Sequence, residues 1–210
     1  MTNSRTTSLK FFLLWLTLVS IGYFIGSNLG DFLTRDFEDR DFALGSFLVL
    51  ALIGLFVGLG QWIVLNFKIK SIWQWIPATA IGFSCGGFLA YFFISLLGRR
   101  LLHLDIYLDM YHGAYQWIEM TATLFVTGMF IGALQWIALK KTLITSLKWL
   151  LISGLSLAIG YDVAYYIAQT HSEYFSFSSI QFGAIFVLIF GFITGAFAEG
   201  LIIRPRFSSL

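Results

Sequence analysis

Charge is scarce in this sequence: 11% of the residues are Asp, Glu, Lys or Arg, against the roughly 25% usual in a soluble domain. A water-facing globular surface is excluded by that shortage, and 58% apolar residues make hydrocarbon the implied solvent. Cysteine is nearly missing too. The single one, Cys85, sits inside an apolar run, so neither a disulfide framework nor a thiolate metal site can be built within one chain. Proline occurs twice, and Pro77 lies near the start of a run, where a missing amide costs least. The three histidines, His103, His112 and His171, fall between runs, which disfavours a bis-histidine haem at depth.

What remains is length without polarity. Six stretches, 11–30, 43–66, 72–98, 115–139, 149–169 and 181–203, supply the ~20 residues a helix needs to cross the hydrocarbon. In lipid each must be helical, because its backbone groups find no water. The expectation is an all-α integral membrane protein with six transmembrane helices, residues 1–210 forming one transmembrane domain. The run after Phe11 has no small-x-small cleavage site ahead of Asp31 and is read as a retained signal anchor.

Basic residues set the orientation. Arg5, Lys10, Lys68, Lys70, Lys140, Lys141, Lys148, Arg204 and Arg206 share one side, nine of the thirteen, with no acid beside them. The other side mixes Arg35, Arg40, Arg99 and Arg100 with Asp31, Asp36, Glu38, Asp39, Asp41, Asp105, Asp109 and Glu173. The positive-inside rule then makes both termini cytoplasmic. A formal charge of +2 is an average over these two surfaces and gives no ground for nucleic acid as a partner.

The chain also matches itself. Sliding it by 74 positions lays Gly54, Phe56, Gly58, Gln61, Trp62, Ile63 and Leu65 on Gly128, Phe130, Gly132, Gln135, Trp136, Ile137 and Leu139, and Trp75 and Gly86 on Trp149 and Gly160. At an offset of 60, Trp15, Ile21, Gly22 and Gly26 join Trp75, Ile81, Gly82 and Gly86, while the last segment keeps Gly191 and Gly195. The expected plan is three tandem hairpins, about 11–66, 72–139 and 149–203, related by a pseudo-three-fold axis along the membrane normal. Each helix carries a small-x-x-x-small pair: Gly22/Gly26, Gly54/Gly58, Gly82/Gly86, Gly128/Gly132, Ser156/Gly160 and Gly191/Gly195. Such a pair clears a strip for close backbone approach, either for a neighbouring helix or for a thin ligand, an acyl chain or a partner. A wide aqueous pore is disfavoured.

Gln61-Trp62 and Gln135-Trp136 close their runs near lysines, which suits an indole at headgroup depth beside an amide that bonds across helices, or paired glutamines in a polar vestibule. The string GLFVGLGQWIVL, with Trp75 after it, resembles a broad group of uncharacterised bacterial membrane proteins, many from oxygenic photosynthetic bacteria, that share a G-x-x-x-G-x-x-Q-W signature. The resemblance covers Gly54 to Gly86 and Gly128 to Gly160. It implies a multi-pass protein of a bacterial plasma or thylakoid membrane and no catalytic residues to carry over.

Few groups could do chemistry. Asp162, about thirteen residues past Trp149, lies within roughly 5 Å of its run's middle at ~1.5 Å per residue. It is either a functional intramembrane acid or a carboxyl closed onto Asn28, its repeat-equivalent, or onto a tyrosine. Glu119 and Glu199 lie nearer opposite ends of their helices. If the three acids faced one another they would suit a small-solute, cation or proton path. Asp105, Asp109 and His112 would share a stripe on a helix over 99–113, but a solvated surface stripe has the same pattern and no metal is assigned. No second intramembrane aspartate, serine–histidine pair or phosphate-binding loop assembles a catalytic site.

The leading expectation is therefore a non-catalytic scaffold or assembly component binding lipid, pigment, another lipophilic ligand or partner helices, the alternative being a carboxylate-based transporter or channel. Its cofactor, if any, is unknown from the sequence. In a Cys85→Ser background, an impermeant maleimide should label Phe37→Cys in intact cells and reach Lys70→Cys only after permeabilisation. The reverse pattern would overturn the orientation.

Overall fold

The computed structural model describes residues 2–35, 42–69, 72–101, 108–139, 147–171 and 179–202. Six helices account for nearly all of them: α1 Thr2–Thr34, α2 Phe42–Asn66, α3 Trp75–Leu101, α4 Leu108–Leu139, α5 Leu147–His171 and α6 Ser179–Ile202. All six are long and apolar enough to span a membrane. The third begins at Trp75 rather than at residue 72. Residues before it form a turn, with the Trp75 amide donating to the Ile72 carbonyl at 2.9 Å, so Pro77 falls in the first turn, whose amides have no partner one turn back.

Each helix packs on its neighbours in the chain, α6 packs on α1, and no other pair of helices makes backbone contact among the described residues. The result is a closed ring of six. Neighbours run antiparallel: Gly22 lies against Phe56 and Gly30 against Val49, while Gly183 lies against Tyr23 and Gly195 against Trp15. The ring's centre is filled by side chains, among them the fully buried Trp15, Val19, Val57, Trp75, Leu157 and Val187. Trp75 and Trp149, on helices without backbone contact, meet inside the ring with ring centroids 6.0 Å apart.

Close approach at each seam requires glycine. A Cβ at Gly26 would lie 2.6 Å from the Ile53 Cα, at Gly54 2.8 Å from the Ala80 Cα, and at Gly82 2.8 Å from the Ile131 Cα. The remaining seams are similar: 2.9 Å from Gly132 to the Leu150 Cα, 3.0 Å from Gly160 to the Phe186 oxygen and 2.9 Å from Gly195 to the Trp15 Cδ1. Gly58 faces Thr79, Gly86 faces Phe130, Gly128 faces Ser153 and Gly154, and Gly191 faces Leu16. Around the ring, these glycines of every helix face the next helix in chain order, and those of α6 face α1. Ser156 instead bonds its hydroxyl to the Ser153 carbonyl at 2.9 Å within its own helix. Two further approaches, Gly60 on Leu18 and Gly154 on Met129, complete the α1–α2 and α4–α5 seams.

Gly128→Leu should cost about 3 kcal/mol or prevent assembly, because the obstacle is backbone and cannot rotate away. The lipid-side change Leu155→Ala should shift the unfolding midpoint in detergent far less. Equal shifts would contradict the seam geometry.

Candidate functional site

The sequence repeats a glutamine near the end of α2 and of α4, and both fold inward. Gln61 and Gln135 are 1% and 2% exposed, so neither amide lines an open vestibule among the described residues. Gln135 donates from Nε2 to Gln61 Oε1 at 3.1 Å, joining two helices that have no backbone contact. It also donates to Thr79 Oγ1 at 2.9 Å, and that hydroxyl donates to the Trp75 carbonyl at 2.8 Å. Trp75 Nε1 donates to Gln61 Oε1 at 2.8 Å, and Trp149 Nε1 to Gln135 Oε1 at 3.0 Å. Four successive helices thus share one network of polar groups at the end of the bundle that carries Lys68 and Lys148.

The partnering tryptophans are not the ones beside the glutamines. Trp62 packs against the core, and its indole nitrogen is buried without a hydrogen-bond partner among the described residues. Trp136 is half-buried. The indoles that donate to glutamine stand fourteen residues further on in both copies.

The α6–α1 seam is tied differently. Where Gln61 and Gln135 stand three residues after Gly58 and Gly132, Ala198 stands three after Gly195. With no amide there, Trp15 Nε1 donates to Thr194 Oγ1 at 3.2 Å, and that hydroxyl donates to the Phe190 carbonyl at 2.8 Å. Ser153, 74 positions after Thr79, has a buried hydroxyl without a partner among the described residues. Thr79 takes its bond from a glutamine, and the corresponding position on α6 is this alanine.

Asp162 lies elsewhere. Its Oδ1 accepts from Thr121 Oγ1 at 2.6 Å and from Trp117 Nε1 at 3.0 Å, both on α4. Among the described residues neither Asn28 nor a tyrosine is its partner: Asn28 donates to its own helix at the Phe24 carbonyl, 2.7 Å away, and α1 makes no backbone contact with α5. Asp162 shares a stripe of α5 with Leu151, Leu155, Ile159 and Tyr166, at spacings of three and four, and those four are exposed on the outside of the ring. Its repeat-equivalents Asn28 and Phe88 are exposed as well. The carboxylate therefore sits on the outer margin of the α4–α5 seam.

Glu119 is two residues from both Trp117 and Thr121, hence ~160–200° round α4 from the side facing Asp162 at ~100° per residue. It shares the outward stripe of Val126 and Ile137. Those two acids do not face each other. Glu199 lies on α6, with its side chain outside the described residues. Asp105 and residues 36–41 also fall outside them, as do the side chains of Asp109 and His112 in the first turns of α4, and no metal-ligating group of side chains is found among the described residues. No family model, curated protein or solved structure matches the chain.

Gln135→Leu should lower stability by about 2 kcal/mol, since it strips partners from Trp149, Thr79 and Gln61 in a medium that offers none. In a cycle with Gln61→Leu the double variant should lose less than the sum of the singles. Additive losses would show that the two amides act independently.

Proposed function

We propose that this protein is a non-catalytic scaffold or assembly component of a membrane, built from three tandem hairpins about a pseudo-three-fold axis, and that its outer surface meets lipid, a lipophilic ligand or partner helices. The observation that carries this is the disposition of the interior polar groups: Gln61, Gln135, Trp75, Trp149 and Thr79 bond to one another and plug the ring. A translocation path through that end of the ring needs polar groups left for a solute, and these five side chains are turned to one another. The glycine strips are covered by neighbouring helices, so ligands meet the outside of the ring rather than the strips.

The three-fold plan is supported by the matching bonds from Trp75 to Gln61 and from Trp149 to Gln135, with Trp15 to Thr194 closing the third seam. Small-x-x-x-small packing is supported by the regular order in which the glycine pairs face the next helix. Both termini are cytoplasmic in this reading, in a bacterial plasma or thylakoid membrane, as the resemblance to the G-x-x-x-G-x-x-Q-W group implies. The carboxylate transporter is the lesser reading, because Asp162 and Glu119 lie on different faces.

Photo-crosslinking residues at the outward positions Phe93, Ile137 and Phe192 should yield adducts with protein or lipid in native membranes. Proteoliposomes should show proton and cation leak equal to that of empty vesicles. Absence of adducts, together with a flux abolished by Asp162→Asn, would replace this reading by the transporter.

A further inference from the structure

A carboxylate on a lipid-facing stripe is costly unless a cation or donor covers it. Asp162 is such a group. Trp117 and Thr121 both donate to Oδ1, no hydrogen bond from the described residues falls on Oδ2, and no basic side chain among them pairs with it. Something with donors or positive charge, arriving from outside the ring, would complete the site.

The surroundings indicate the shape of that partner. One turn further along the same face stands Tyr166, 69% exposed, and Trp117 is 38% exposed. Tyr166 lies four residues, ~6 Å, nearer the end of α5 than Asp162, on the side where amphipathic rings of this kind favour the headgroups. Away from the rings, along the same stripe, run Ile159, Leu155 and Leu151, all exposed. Aromatic faces beside a carboxylate favour an ammonium, and an unbroken aliphatic stripe leading from it favours a hydrocarbon tail. A partner helix would need its own cation buried at this depth. An amphiphile brings the ammonium from the interface and its chain from the bilayer.

We propose that Asp162, Trp117, Thr121 and Tyr166 form a binding site for the ammonium headgroup of a membrane lipid, whose acyl chain lies along Ile159, Leu155 and Leu151. The site names a lipid for the outer surface and thus rests on the reading of the protein as a non-catalytic binder.

The test uses the full-length protein, delipidated in mild detergent and mixed with vesicles of phosphatidylethanolamine and phosphatidylglycerol, with retained lipid read by native mass spectrometry. Wild type should retain phosphatidylethanolamine about ten-fold over phosphatidylglycerol, equivalent to ~1.4 kcal/mol. N-acylated phosphatidylethanolamine, which lacks the positive charge, should lose that preference. Asp162→Asn keeps an oxygen for Thr121 and Trp117 and should fold, yet bring the ratio near one. Tyr166→Leu leaves both seam bonds untouched and should give an intermediate ratio. No headgroup preference in wild type, or the same preference in Asp162→Asn, would overturn the site. Protein adducts at Phe93, Ile137 and Phe192 are scored separately, so the headgroup site can fail while the scaffold reading stands, and the reverse.

Discussion

One side-chain amide holds this architecture to a single arrangement. Gln135 reaches past α3 to α2, a helix with which α4 has no backbone contact, and bonds Gln61, Thr79 and Trp149 together. In hydrocarbon the helices gain little from hydrophobic burial against one another, since lipid tails are as apolar as leucine. Packing shape and polar pairing must then select the fold. Apolar packing tolerates small slides, whereas a network shared by α2, α3, α4 and α5 fixes their relative depth.

The glycines act on a second coordinate, the distance between axes. Because the obstacle at most seams is backbone rather than a flexible side chain, the seams have little latitude in width. The glutamine network sets depth and the glycines set separation, so a six-helix ring of ordinary apolar sequence acquires one geometry. Asp162 adds a second tie to the α4–α5 seam, at the end of the bundle opposite Gln135 and Trp149.

Much of this was legible in the sequence. The six long apolar helices follow from run length and the scarcity of charge. Less legible was the choice of tryptophan. Gln61-Trp62 and Gln135-Trp136 are adjacent in sequence, but adjacent helical residues point ~100° apart, so they cannot both serve the same centre. The spacing of fourteen residues to Trp75 and Trp149 is present in both copies and was the signal to follow. The partners of Asp162 were hidden because they depend on how far α5 is shifted along α4. That shift is set by Gly128 meeting Gly154, a pair formed across helices rather than within one. Repeat-equivalence placed Asp162 level with Asn28, but a ring keeps α1 and α5 apart.

The direction in which the glycines face has an outcome for the chain's connectivity. The glycines of the small-x-x-x-small pairs lie against the next helix in the chain, and those of α6 against α1, so the seam without a covalent loop is approached from the same direction as the five that have one. The tryptophan bonds tie α2 to α3, α4 to α5 and α6 to α1, and the last of these couples is split between the two ends of the polypeptide. The tightly bonded couple is thus displaced by one helix from the hairpin counted from the N-terminus. A circularly permuted gene opening at α2 would encode the same ring with all three couples intact in the chain.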